Sequence, residues 1–158
     1  MKNYFMKKAY DEALKAKKMG EVPVGAVIVK DNRIVGRGFN LKEETSDSTN
    51  HAEMMAIKQA SRNLGTWRLT GCTMFVTLEP CPMCAGAIVN SRISKVIIGT
   101  EDHRMGACGS AVNLLQNSGF NHRTEIERGI MKDECSKILT DFFRELRQYK
   151  SAEKKLRD

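Results

Sequence analysis

At 158 residues the chain has the length of one domain and can bury a sizeable core without disulfide staples. Hydrophobic residues at 41% and charged residues at 28% exclude a disordered chain, and no apolar run approaches a membrane span. The net charge of +7 favours a polyanionic partner, such as nucleic acid or an anionic lipid surface.

Lys, Asp and Glu interrupt the first fourteen residues, and no apolar core with a small-residue cleavage site follows, so a cytoplasmic protein is expected. Phe5, Ala9, Ala13 and Ala16 recur at helical spacing and predict an amphipathic helix ending near Gly20. Val24 to Val29 and Arg33 to Phe39 read as two antiparallel strands joined at Asp31-Asn32, a pair suited to a tight hairpin turn. The polar stretch from Lys42 to Asn50 reads as a loop into a second helix, from near His51 to about Leu64. Thr73 to Leu78 is a third strand, and Pro80 leads into a helix running to about Asn90. Lys95 to Gly99 is a fourth strand, parallel to the third, because a strand–helix–strand unit normally forms a right-handed crossover. A Gly-rich loop from Met105 to Gly109, a short helix around Ala111 to Leu115 and an edge strand at Thr124 to Glu127 follow. The last helix is expected over about 131 to 150, with Cys135, Ile138, Phe142, Leu146 and Tyr149 as its apolar stripe and a basic tail over 150 to 158. One α/β domain over residues 1–158, with a mixed sheet of five strands, accounts for all of these elements.

Two segments carry the chemistry: His51-Ala52-Glu53 and Pro80-Cys81-Pro82-Met83-Cys84. Together they supply an imidazole, two thiols and one further carboxylate. Three protein ligands suit a catalytic zinc, which keeps one position open for water, whereas a structural zinc normally takes four. Both segments are expected at helix starts, where backbone N–H groups and the helix dipole favour thiolates. Glu53 lies close to such a metal without having to ligate it, and can take a proton from a water whose pKa zinc lowers to roughly 7. A redox pair at Cys81 and Cys84 would leave His51 and Glu53 without a role. A non-catalytic zinc module would not need Glu53.

The pairing H-x-E…P-C-x-x-C is a signature of zinc deaminases, in which the hydroxide attacks a nucleobase and the glutamate shuttles protons to the ring and to the leaving amine. Beyond it, Gly20–Ala26, Thr77–Ala87, Gly119–Arg123 and Asp141–Arg144 make the chain resemble, over nearly its whole length, the bacterial tRNA-specific adenosine deaminases of the cytidine/deoxycytidylate deaminase superfamily. The resemblance implies the three-layer α/β/α fold of the cytidine-deaminase type, with helices on both faces of the sheet. It implies one zinc per subunit on His51, Cys81 and Cys84, with Glu53 as catalytic residue. It also implies a homodimer that converts the wobble adenosine of a tRNA anticodon stem-loop to inosine, each subunit helping to form its partner's groove. By the same resemblance Asn40 hydrogen-bonds the purine, Asp102 contacts the flanking backbone or sugar, and Phe143 and Arg144 hold the loop. Pro23, Val24, Ala52, Asn121, His122 and Arg123 are implied as further substrate-binding residues.

Residues 144 to 158 hold six Lys or Arg against three Asp or Glu, which is attractive to RNA but equally the composition of a solvated helix face. Of Phe142 and Phe143, adjacent on a helix, one is expected in the core and one exposed. Outside the resemblance, His103 and His122 read as surface or satisfied core residues. Cys72, Cys108 and Cys135 read as small buried hydrophobes or unpaired surface thiols. The alternative substrate class is a free base or nucleoside such as guanine, cytosine or cytidine, which would give the basic surface no purpose.

Overall fold

The computed structural model describes all residues from Met1 to Asp158. Helix α1 (Lys2–Lys18) precedes the hairpin of β1 (Gly25–Lys30) and β2 (Arg33–Phe39). Asp31 and Asn32 both take positive φ, 49° and 61°, the conformation of a two-residue turn whose twist matches the strands. A single helical turn, α2 (Lys42–Thr45), then α3 (Ala52–Leu64), β3 (Thr73–Leu78), α4 (Pro82–Asn90), β4 (Lys95–Thr100), β5 (Glu125–Arg128) and α5 (Lys132–Arg157) complete the chain.

The five strands form one mixed sheet in the order β2-β1-β3-β4-β5. β1 runs antiparallel to β2 and β3, while β3, β4 and β5 are mutually parallel. Alternate side chains of the central strands leave opposite faces, and both faces are buried. Ala26, Ile28, Met74, Val76, Val96 and Ile98 pack with α3 and α4 through Ala56, Ala60, Ala85 and Ile88. Val27, Val29, Phe75 and Ile97 pack on the other face with Phe5, Met6 and Ala9 of α1 and Cys135 of α5. The expected three-layer α/β/α arrangement is therefore present.

α3 lies unusually close to β2. A Cβ on Gly38 would stand 2.1 Å from the Ala52 carbonyl oxygen, and one on Gly36 2.3 Å from that of Ala56. These glycines let the helix backbone rest on the strand, and this packing sets the position of the first turn of α3.

Three expectations are corrected. Ala111 to Leu115 forms no helix: Ala111 and Val112 both donate to the Gly106 carbonyl, Leu114 donates to Ala107, and Asn113 bridges to Cys108, giving a compact knot of turns. Leu115 is fully buried there, so the apolar signal came from anchoring rather than helical periodicity. The stretch from Lys42 to Asn50 includes the turn α2, because buried Glu21 accepts the N–H groups of Glu43 and Glu44. The last helix continues to Arg157, so the basic tail is helical.

Candidate active site

His51 is the N-cap of α3 and Cys81 the N-cap of α4, both with extended backbone, and neither side chain caps its own helix. Pro82, at the first helical position, fixes the entry to α4 and brings Cys84 round on its first turn. Free of capping, the side chains converge. The His51 Nδ1 atom lies 3.5 Å from Cys84 Sγ and 3.7 Å from Cys81 Sγ. A tetrahedral zinc, about 2.0 Å from nitrogen and 2.3 Å from sulfur, spaces such atoms roughly 3.5 Å apart. The three ligand atoms all fall within 4.8 Å of one another, so the cluster fits that ion in spacing and in donor chemistry.

The electrostatics of the cluster are those of a thiolate and a thiol sharing a proton. The hydrogen bond from Cys84, with that to His51, brings the Cys81 thiol down to about 4, whereas Cys84 is pushed far up by its bond to Cys81 and by burial. The same interaction with Cys81 raises His51. Cys81 is thus the most readily ionised thiol of the chain, while burial pushes Cys135 up to about 12 and raises Cys72 and Cys108. After chelation, iodoacetamide at pH 6 should therefore alkylate Cys81 well ahead of the others, and one equivalent of zinc should protect it. Peptide mapping that found Cys72, Cys108 or Cys135 labelled first would contradict this.

Glu53 sits in the first turn of α3, 4% exposed, and burial pushes its carboxyl up to about 7. His51, Cys81 and Glu53 border a cavity of about 660 Å³, whose apolar lining includes Val22, Val24, Leu78, Leu139 and Phe143. Such a site offers a metal position, a carboxylate for proton transfer, and room for a purine.

The MafB19-like deaminase profile matches residues 1–147. The chain belongs to the MafB19-like deaminase family. The deaminase is 51% identical over 151 residues to the tRNA-specific adenosine deaminase of Bacillus subtilis strain 168, covering 96% of this chain and 94% of that one. It is similar to a solved structure from work on A-to-I editing by tRNA:A34 deaminases at the wobble position, with a TM-score of 0.83 and 40% identity over 86% of this chain and 99% of that one. A guanine deaminase from Bacillus subtilis is more distant, with a TM-score of 0.59 and 32% identity over 73% of this chain and 84% of that one.

Of the residues singled out from sequence, Val24, Asn40, His51, Ala52, Glu53, Cys81, Asp102 and Phe143 line the deaminase cavity, and Cys84 lies buried beneath it. Asn40 donates from Nδ2 to the Val22 carbonyl and accepts the Lys42 N–H at Oδ1, which holds its amide in place at the wall. Asp102 uses Oδ1 to accept the N–H groups of Arg104 and Met105. Pro23 is buried behind the wall, and Arg144 stands outside it, paired with Asp141 at 3.0 Å. Asn121, His122 and Arg123 do not reach the cavity. Asn121 borders a separate groove with Gly86, Val89, Asn90 and Phe120, His122 Nε2 is 2.8 Å from the Ile93 carbonyl oxygen, and Arg123 donates to the Ser118 carbonyl. Phe143 is exposed as expected, but Phe142 is only half-buried and joins neither core cluster.

Glu79 is a functional residue that the sequence does not announce. It is 2% exposed and accepts from the backbone N–H groups of Asp102, Cys108 and Ser110 and from the Ser110 hydroxyl. Burial alone would raise its carboxyl, but these bonds outweigh it and hold the group below the usual carboxylate range. Glu79 therefore pins the loop that forms the outer wall of the cavity. The only hint in sequence is a carboxylate at a strand end, next to Pro80, with no amphipathic reason to be there.

Proposed function

We propose that this deaminase converts the wobble adenosine of a tRNA anticodon to inosine by hydrolysis, through one zinc held by His51, Cys81 and Cys84. The observation that carries the reading is the convergence of those three side chains beside the buried Glu53, at the floor of a purine-sized cavity. The 51% identity to a tRNA-specific adenosine deaminase supports the substrate class.

When bound, zinc supplies the Lewis acidity that makes water a nucleophile near neutral pH. The other roles belong to the protein. Glu53 takes a proton from the water and gives it to the purine ring nitrogen beside the attacked carbon, then takes the remaining proton from the newly bonded hydroxyl and delivers it to the exocyclic amine. The new C–O bond forms, the C–N bond breaks, and ammonia leaves. Asn40 retains acceptor capacity at its carbonyl oxygen for the base, Asp102 keeps Oδ2 for the neighbouring sugar, and the exposed Phe143 ring stacks at the rim. Val24 and Ala52 close the pocket on the base, and buried Pro23 sets the wall behind them.

A second copy completes the site. Along α4, Met83, Gly86 and Ala87 are only partly covered and Asn90 is exposed, and nothing lies within 4 Å of where a Gly86 Cβ would be. Phe120, 42% exposed, and Asn121 border the same face. Pairing through this face carries the segment Asn121–Arg123 to the groove of the other copy, while Arg144, on the opposite side of the sheet, stays beside the rim of its own copy. The enzyme acts in the cytoplasm, and no helix is long and apolar enough to cross a membrane.

The zinc-loaded protein should form inosine in an anticodon stem-loop, lose activity with a chelator and regain it with zinc. It should sediment as a dimer. Full activity after metal removal would overturn the zinc reading, and an active monomer would overturn the pairing.

A further inference from the structure

The last helix does two different things along its length. Its first turns pack on β3 and β4 through Cys135 and Ile138, and Leu139 and Phe143 face the cavity. From Phe143 to the end, every residue except Leu146 is exposed. At about 3.6 residues per turn, Arg147, Lys150, Lys154 and Arg157 all fall within about 40° of the direction in which Phe143 projects. The cavity-facing side of α5 therefore continues beyond the body of the protein as a row of cations. Asp141 and Glu145 lie on the opposite side, and the ion pairs of this helix, Lys137–Asp141 and Arg144–Asp141, leave the four cations unpaired.

We propose that Arg147, Lys150, Lys154 and Arg157 form a phosphate-binding arm for the stem of the RNA whose loop base enters the cavity. The inference rests on the function proposed above and extends it to a surface outside the pocket. At about 1.5 Å of rise per residue, Lys150, Lys154 and Arg157 stand roughly 10, 16 and 21 Å along the helix from the rim at Phe143. That is too far to touch the reacting nucleotide. It is within reach of backbone on the stem side of a loop held at the rim. Complementing the helix dipole explains cations in the last turn but not Arg147 and Lys150, nor the shared side. Only Tyr149 and Leu156 are large exposed apolar residues after Phe143, too few for the apolar face with which a helix lies on a membrane.

The test compares wild type with Lys150→Gln/Lys154→Gln/Arg157→Gln on two RNAs: an anticodon stem-loop with a wobble adenosine, and its loop sequence as a stemless single strand. A charge-matched control, Arg33→Gln/Arg62→Gln/Arg68→Gln, removes exposed arginines at the far end of the sheet. The arm variant should bind the stem-loop on the order of tenfold more weakly at low salt, with its salt slope reduced by about 0.7 to 0.9 for each phosphate that the arm no longer neutralises. It should match wild type on the stemless strand and in kcat at saturation. Lys150→Arg/Lys154→Arg/Arg157→Lys should restore stem-loop binding. Equal weakening on both RNAs, or an equal weakening in the control, would overturn the arm. So would unchanged stem-loop affinity with abolished binding to phosphatidylserine vesicles, which would assign the helix to membranes. Inosine formation by wild type is scored separately, so failure of the functional reading is distinguishable from failure of the arm.

Discussion

Glu53→Ala is expected to reduce kcat by about 10²- to 10⁴-fold, the range supplied by a positioned general acid–base group, while leaving metal content unchanged. The three ligand side chains do not include Glu53, so zinc stoichiometry by atomic absorption should stay at one per subunit. The same variant should melt no lower than wild type. Glu53 is a buried carboxylate whose ionised form the fold disfavours, and removing it relieves that desolvation cost. Loss of turnover with retained metal and undiminished stability marks a residue kept for chemistry. A variant that kept near wild-type turnover would show that the proton transfers run through another group, and one that lost zinc would make Glu53 a ligand.

Gly38→Ala should be among the most damaging conservative changes in the scaffold. The added methyl carbon would meet the Ala52 carbonyl oxygen at 2.1 Å and the Ala56 nitrogen at 2.8 Å, both backbone atoms that no rotamer change can move. Either β2 bends or α3 lifts from the sheet, at a cost of about 3 kcal/mol. For a chain of this size that lowers Tm by roughly 10 °C. Lifting α3 also displaces its N-terminus, where His51 and Glu53 sit, so zinc affinity should fall together with stability. Gly65→Ala serves as comparison: Gly65 has φ of +68° and nothing within 4 Å of its Cβ position, so its penalty is local to the end of α3 and zinc binding should survive. Equal zinc affinity in the two variants would refute the coupling between the β2–α3 packing and the site.

Much of this was legible in the sequence where the determinants are local. The apolar, β-branched run of Val24 to Val29, the Asp31-Asn32 turn and the apolar stripe of the last helix each depend on neighbours a few residues away, and those elements stand within a residue or two of their expected bounds at all but one end. That end is the C-terminus of α5, where the apolar stripe fades but strong helix formers continue the helix to Arg157. The convergence of His51, Cys81 and Cys84 was legible because zinc chemistry demands a short list of residue types at fixed spacing. The parts that were not legible are long-range. Ala111 to Leu115 is held by bonds to Gly106 and Ala107, and Glu79 acts on residues 23 to 31 positions away. The placement of Asn121, His122 and Arg123 outside the cavity follows from where β5 attaches to the sheet edge.

The most direct test of the account is a side-by-side measurement of inosine or ammonia formation from a tRNA with a wobble adenosine and from free adenosine, guanine and cytidine. The tRNA should be converted, with mass spectrometry placing inosine at the wobble position, and the free compounds should turn over negligibly. Rapid turnover of a free base or nucleoside with no inosine in the tRNA would contradict it.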